Sequence, residues 1–104
     1  MMIVVLSKNR VPIRLSSERW GHMERRHPEM KKQKDMILET VSDPDFIQQG
    51  DYGEFLAVKY FKKTPLTEKY LIVAYKEITE KEGFVITAYF TSKPSKRRVT
   101  IWKP

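Results

Sequence analysis

The chain of 104 residues contains no cysteine, only two histidines and no long apolar run. Without cysteine it has no disulfide framework, no thiol nucleophile and no thiolate zinc site, and two histidines alone do not complete a metal-ligand set. The apolar run at residues 1–6 is too short for a signal-peptide core or a membrane span. We therefore expect one cytoplasmic domain over residues 1–104, with no metal, no cofactor and no membrane partner.

The sequence also lacks the short motifs of the best-marked enzyme classes. It has no P-loop, no dinucleotide-binding fingerprint, no nucleophile elbow and no HExxH zinc motif. Any catalytic role must therefore be inferred from residues that a helix or a strand brings together.

Charge is distributed unevenly along the chain. Residues 1–34 hold nine Lys/Arg against three Asp/Glu, residues 35–58 hold six acids and no base, and residues 59–104 hold eleven bases against four acids. If the two basic blocks converge in the fold, they form one positive surface suited to a polyanion such as RNA. The same asymmetry would also suit a protein partner of opposite charge.

The first half of the chain predicts a hairpin followed by two helices. Residues 3–6 and 11–15 have the composition of short strands joined by a polar turn. Ser16 or Ser17 can cap a first helix over 17–27, which Pro28 ends. Apolar residues at helical spacing then predict a second helix over about 29–42.

From residue 54 onward the pattern changes to that of strands, over 55–61, 69–75, 84–91 and 98–102. We predict an α+β domain in which two N-terminal helices pack on one face of a four-stranded antiparallel sheet, with a short N-terminal strand or hairpin. The other sheet face would stay open. Alternation in 84–91 places Thr87 and Tyr89, with Val85, on that open face and Ile86 in the core.

Four segments of this chain resemble those of a known family. They are RLSSERWGHMERRHPEM, ILETVSDPDFI, YLIVAYKE and FVITAYFTSK. In this order they resemble the phage-associated nucleases of the barnase–EndoU–colicin–RelE-like fold superfamily, over nearly the whole chain. The resemblance implies a metal-independent endoribonuclease, often a toxin or an effector, with catalytic groups on the sheet and an adjoining helix. A cognate inhibitor or antitoxin protein would be a partner of such a toxin.

His22 is the leading candidate for proton transfer. At 100° per residue it falls in one helical stripe with Arg19 and Arg26, and the neighbouring stripe contains Trp20 as a core anchor. An imidazole that titrates near neutrality between fixed cations suits phosphodiester cleavage. The alternative is a histidine that only makes hydrogen bonds within the helix, and we interpret His27 as mainly structural.

The other candidate site residues come from the strands and their last turn. Thr87 and Tyr89 can donate hydrogen bonds to a phosphate, and Tyr89 can stack on a base. We place Lys59 on the open face, because a lysine facing the helices would have to be buried. The predicted site comprises the catalytic residues His22, Lys59, Thr87 and Tyr89 and the RNA-binding residues Arg19, Arg26, Lys96, Arg97 and Arg98.

Three functions remain open from the sequence. The first is an endoribonuclease in which the 2′-hydroxyl attacks the phosphate. The second is a non-catalytic RNA-binding domain that uses the same surface, and the third is a protein-interaction or regulatory module. Cleavage separates the first function from the second, and the salt dependence of binding separates the second from the third.

Overall fold

A computed structural model describes residues 2–104 of the chain. The described residues form seven strands, two α-helices and one short 3-10 helix at Pro28–Met30. In chain order the main elements are β1 (Met2–Leu6), β2 (Pro12–Ser16), α1 (Ser17–Arg26), α2 (Lys34–Ser42), β3 (Phe46–Gln49), β4 (Phe55–Tyr60), β5 (Tyr70–Thr79), β6 (Glu82–Thr91) and β7 (Thr100–Trp102).

All seven strands form one mixed sheet in the order β1-β2-β6-β5-β4-β3-β7. The prediction of a four-stranded antiparallel sheet was therefore wrong. The hairpin strand β2 joins the sheet by pairing with β6 in parallel, at Ile13 opposite Gly83. A Cβ atom on Gly83 would lie 2.5 Å from the carbonyl oxygen of Lys76 and 2.6 Å from Ile13 Cδ1, so this close junction requires glycine.

Local signals determine where α1 begins and ends. The Ser16 hydroxyl accepts a hydrogen bond from the Arg19 backbone N–H at 3.1 Å, which makes Ser16 the N-cap. His27 is extended before Pro28, with φ −135° and ψ 79°. The predicted first helix is thus confirmed to within one residue.

The second helix begins later than predicted. Pro28–Met30 forms a 3-10 turn, and Lys32 takes a left-handed φ of 68° before α2 begins at Lys34. A left-handed residue interrupts an α-helix, because its carbonyl no longer points along the helix axis. The predicted helix from Glu29 is therefore corrected to a shorter one.

The side of the sheet covered by the helices, here called the helix face, contains the larger core. α2 contributes Ile37 and Val41, whereas α1 contributes Met23. Trp20 packs against this core but stays partly exposed, with the Lys34 ammonium 5.1 Å from its ring centroid. The predicted anchor stripe of α1 therefore does face the core, through Met23 more than through Trp20.

The opposite side of the sheet, here called the far face, has a smaller core. Strand registers place side chains in rows across it, so that residues distant in sequence become neighbours. One row contains Thr87, Ala74, Leu56, Gln48 and Thr100, and the next contains Tyr89, Ile72, Val58 and Phe46.

A bulge in β6 changes which of its residues reach each face. Tyr75 pairs with Val85 whereas Ala74 pairs with Thr87, so Ile86 is an extra residue. Val85 consequently enters the helix-face core and Ile86 packs on the far face. The simple alternation predicted for residues 84–91, with Phe84 and Ile86 in the core and Val85 on the open face, was therefore wrong at these three positions.

Residues 92–99, here called the crossing segment, cover part of the far face. They connect β6 to β7 across four interstrand spacings, about 19 Å. The Gln48 Nε2 group donates a hydrogen bond to the Ser95 carbonyl at 2.7 Å, which shows that the segment passes over this face. The Gln49 backbone N–H donates to the Val99 carbonyl at 2.8 Å. The predicted open face is therefore partly covered.

Candidate nucleic-acid interface

A groove with a volume of about 690 Å³ lies on the far face, beside the crossing segment. The sheet contributes the aromatic side chains of Phe46 and Tyr70. The crossing segment and the C-terminal residues contribute the cationic side chains Lys96, Arg98 and Lys103. The groove thus combines aromatic surface with positive charge, which are the two features that a nucleotide strand requires.

The aromatic residues of the groove belong to a larger cluster. Tyr70 packs against Tyr60 with ring centroids 5.5 Å apart, and Tyr60 stays largely exposed. Phe46 lies on β3 in the row that ends at Tyr89. Exposed aromatic rings on a sheet can stack on unpaired bases.

The cations near the groove differ in their pairing. Arg98 makes two hydrogen bonds to the Asp51 carboxylate, Nη1 to Oδ1 at 3.0 Å and Nη2 to Oδ2 at 3.2 Å. These hydrogen bonds are the main reason that the pKa of Arg98 is raised. Among residues 2–104, Lys96 and Arg97 find no partner for their side-chain charges. Lys96 and Arg97 are therefore available for phosphates, whereas Arg98 is already neutralised.

A histidine and a tyrosine meet at the β6 end of the far face. The rings of His27 and Tyr89 have centroids 6.3 Å apart and are tilted by 30°. His27 Nδ1 lies 3.6 Å from the Glu29 carboxylate. We call this pair of rings the His27–Tyr89 corner. Tyr89 and Phe46 are three interstrand spacings apart in one row, about 14 Å, so the corner and the groove lie on the same face of the sheet.

The topology explains why His27 reaches the sheet. β2 pairs with only the first part of β6, at Gly83 and Phe84, and α1 follows β2 directly. The helix consequently runs beside the later part of β6, and its C-cap residue His27 arrives next to Tyr89. Sequence reasoning missed this contact, because it assigned His27 to a structural role.

The predicted catalytic residue His22 is placed differently. It is exposed on α1, and within residues 2–104 its side chain makes no hydrogen bond, ion pair or ring contact. Arg19 borders a separate cleft of about 230 Å³ together with Arg14, and Arg26 is exposed. The structure therefore shows no contact between His22 and the far-face residues Thr87 and Tyr89.

Lys59 lies on the helix face, which corrects its predicted place beside Thr87. Its side chain is only 14% exposed, and its ammonium group donates to the Asp43 carbonyl at 2.8 Å. Three carboxylates surround it at 3.6–3.9 Å, those of Glu39, Asp43 and Asp45. The acidic middle block of the sequence thus compensates a lysine that faces the helices.

The predicted site is therefore divided in the fold. Thr87 and Tyr89 share the far face with the crossing segment, which carries Lys96, Arg97 and Arg98. Phe46, Gln48 and Tyr70 join them although the sequence analysis did not select them. These residues belong in part to β3, whose four residues, Phe46–Gln49, are too short a pattern to identify a strand from the sequence.

Other kinds of site are not supported on the described surface. Residues 2–104 contain no group of three His, Asp or Glu side chains arranged to hold a metal ion. None of their helices is long and apolar enough to cross a membrane. Burial, and secondarily the charge of Glu77, raises the pKa of Tyr75, so this helix-face phenol stays protonated.

Comparisons of the chain with protein-family models, curated proteins and solved structures give no significant match. The function is therefore argued from the geometry of the far face.

Proposed function

We propose that this domain binds single-stranded RNA along the far face of its sheet, from the His27–Tyr89 corner to the groove at Phe46. The observation that carries this proposal is the groove itself, in which aromatic rings lie beside Lys96 and Lys103, two cations that have no acidic partner among the described residues. The rings would stack on bases while Lys96 and Arg97 hold phosphates. The formal net charge of +7 favours such a polyanion over an acidic patch on a protein.

Single-stranded RNA fits this arrangement better than a duplex does. In a duplex the bases are already stacked on one another, and the A-form major groove is too narrow for side chains to reach base edges. Aromatic side chains on a sheet can stack on bases only where those bases are not already paired and stacked in a duplex. We also propose a cytoplasmic location for this activity, consistent with a chain without cysteine.

A matched pair of charge reversals tests RNA binding. Lys96 and Lys81 are both exposed, but Lys81 lies in the β5–β6 turn, at the opposite end of those strands from Tyr70. Fluorescence anisotropy with a labelled single-stranded RNA should show that Lys96→Glu weakens binding much more than Lys81→Glu. Equal losses would mean that only net charge matters and would remove the groove from the proposal.

A second candidate function is metal-independent cleavage of the bound RNA, favoured by the contact between His27 and Tyr89. Neutral His27 would take the proton of the 2′-hydroxyl as its oxygen forms a bond to phosphorus. The bond from phosphorus to the 5′-oxygen breaks, that oxygen takes up a proton from water, and the His27 imidazolium gives its proton to the hydroxide that results. The products are a 2′,3′-cyclic phosphate and a 5′-hydroxyl. The Glu29 carboxylate would stabilise the imidazolium, and the Tyr89 and Thr87 hydroxyls would donate to the phosphate.

Two histidines on one helix provide the test of cleavage. With total RNA and EDTA, His27→Ala should lower the rate about 10²–10⁴-fold, whereas His22→Ala should change it little. Mapping of the product ends should find 2′,3′-cyclic phosphates. If His22→Ala abolishes cleavage and His27→Ala does not, the sequence-based assignment is right and the corner is not the active site. If RNA is bound but never cut, only the first function remains.

A toxin or effector role depends on this second candidate. The resemblance to phage-associated nucleases implies such a role and a cognate inhibitor or antitoxin protein as partner. We keep both as proposals that cleavage would strengthen. Expression of the wild-type domain and of His27→Ala in the same cells would compare their effects on growth, and equal growth would contradict a toxin role.

A further inference from the structure

We infer that Gln48 reads the base of a nucleotide held in the groove, and that bases with an exocyclic amino group are preferred there over uracil. This inference rests on the proposed binding of RNA and names the base that one part of the surface selects.

The amide of Gln48 has a partner on one side only. The side chain is buried, with 4% of the residue exposed, and its Nε2 group donates to the Ser95 carbonyl at 2.7 Å. Since a carbonyl oxygen accepts but cannot donate, this contact determines the orientation of the amide. The Oε1 atom accepts no hydrogen bond from any described residue. Buried acceptors without a donor are rare, and each calls for an explanation.

The residues around Gln48 suit a nucleotide. Phe46 lies two positions earlier on the same strand and face, and Tyr70 borders the same groove. These rings offer surface on which a base can stack beside the amide. Lys96 and Lys103 border the groove as well, where they can reach the phosphate attached to that base.

Base entry requires a small movement of the crossing segment. The Oε1 atom is itself buried, and the one hydrogen bond that the Gln48 side chain makes within residues 2–104 holds the segment at Ser95. An outward shift at Ser95 would expose Oε1, while the Gln49 to Val99 hydrogen bond still holds the end of the segment. The base donor would then satisfy the acceptor that the fold leaves unpaired.

The chemistry of the acceptor predicts which bases bind. Oε1 needs an N–H donor, and the amino groups of cytosine and adenine project from the ring edge. Uracil carries only a ring N–H between two carbonyl oxygens, and these oxygens would face Oε1 with like partial charge. A single neutral hydrogen bond of this kind corresponds to a preference of about three- to tenfold in Kd.

Short oligocytidylate and oligouridylate of equal length, with the same label and at the same salt concentration, test this inference by anisotropy. The wild-type protein should bind the cytidine strand about three- to tenfold more tightly. Gln48→Leu should bind the two strands equally, with its affinity for the uridine strand unchanged. Gln49→Leu, an exposed neighbour, is the matched control and should keep the preference.

The possible results test separately the base preference attributed to Gln48, here called base reading, and the proposed binding of RNA. Equal binding of both strands by the wild-type protein overturns base reading while RNA binding stands, and so does a preference that survives in Gln48→Leu. Binding of neither strand overturns the proposed function as well. If Gln48→Leu does not fold, an oligomer of N4,N4-dimethylcytidine decides with the wild-type protein alone. Undiminished affinity for that oligomer, which lacks amino hydrogens, overturns the inference.

Discussion

The helix face of the sheet is covered by two helices, whereas residues 92–99 are the segment that crosses the far face. On the helix face the buried lysine, Lys59, is held among carboxylates. On the far face, exposed cations such as Lys96 have no acidic partner among the described residues. This small domain therefore buries and pairs its charge on one face, and on the other it leaves exposed cations that have no acidic partner among the described residues.

The largest expected effect on stability comes from creating a cavity in each of the two cores by an Ile→Ala substitution. Ile37 is fully buried on the helix face and Ile72 is buried on the far face. Ile37→Ala should lower the free energy of unfolding by about 2–5 kcal/mol. Ile72→Ala should cost less, because the crossing segment can settle into the cavity more easily than a helix can. Denaturant unfolding of both variants measures the difference, and equal losses would contradict the proposed contrast between the faces.

Two lysines allow a second test of the comparison. Lys59→Met should lower the free energy of unfolding by about 1–3 kcal/mol, because it leaves the carboxylates of Glu39, Asp43 and Asp45 without their cation. The partly exposed carboxylates limit this cost. Lys96→Met should change stability by less than about 0.5 kcal/mol but weaken RNA binding. The reverse pattern, with Lys59 needed for RNA, would return this residue to the site that its sequence suggested.

Local signals determined what the sequence could predict. Ser16 and Pro28 act within one turn of the chain, so the limits of α1 were predictable. The β-branched and aromatic runs likewise identified β4, β5 and β6. Strand order was not predictable, because β3 pairs with β4 and also with β7, which comes about fifty residues later in the chain.

The site was predictable only where it followed from strand alternation. Thr87 and Tyr89 do lie on the far face. The bulge at Ile86 places the side chains that precede them on the sheet face opposite to the one predicted. The position of Lys59 depended on carboxylates that fold against it from α2 and the next turn. The contact of His27 with Tyr89 depended on α1 lying beside β6, which no local pattern encodes.

The smallest expected effect separates two adjacent arginines. A free cation that contacts one phosphate contributes about one unit to the slope of log Kd against log salt concentration, so Arg97→Ala should reduce that slope by about one. Arg98→Ala should change it little, because Asp51 already neutralises the guanidinium. Asp51→Asn should increase the slope by releasing Arg98 for a phosphate, which anisotropy titrations over a range of salt concentrations can measure. An equal effect of both alanine variants would mean that the Arg98–Asp51 pair opens when RNA binds and that Arg98 then contacts a phosphate as Arg97 does.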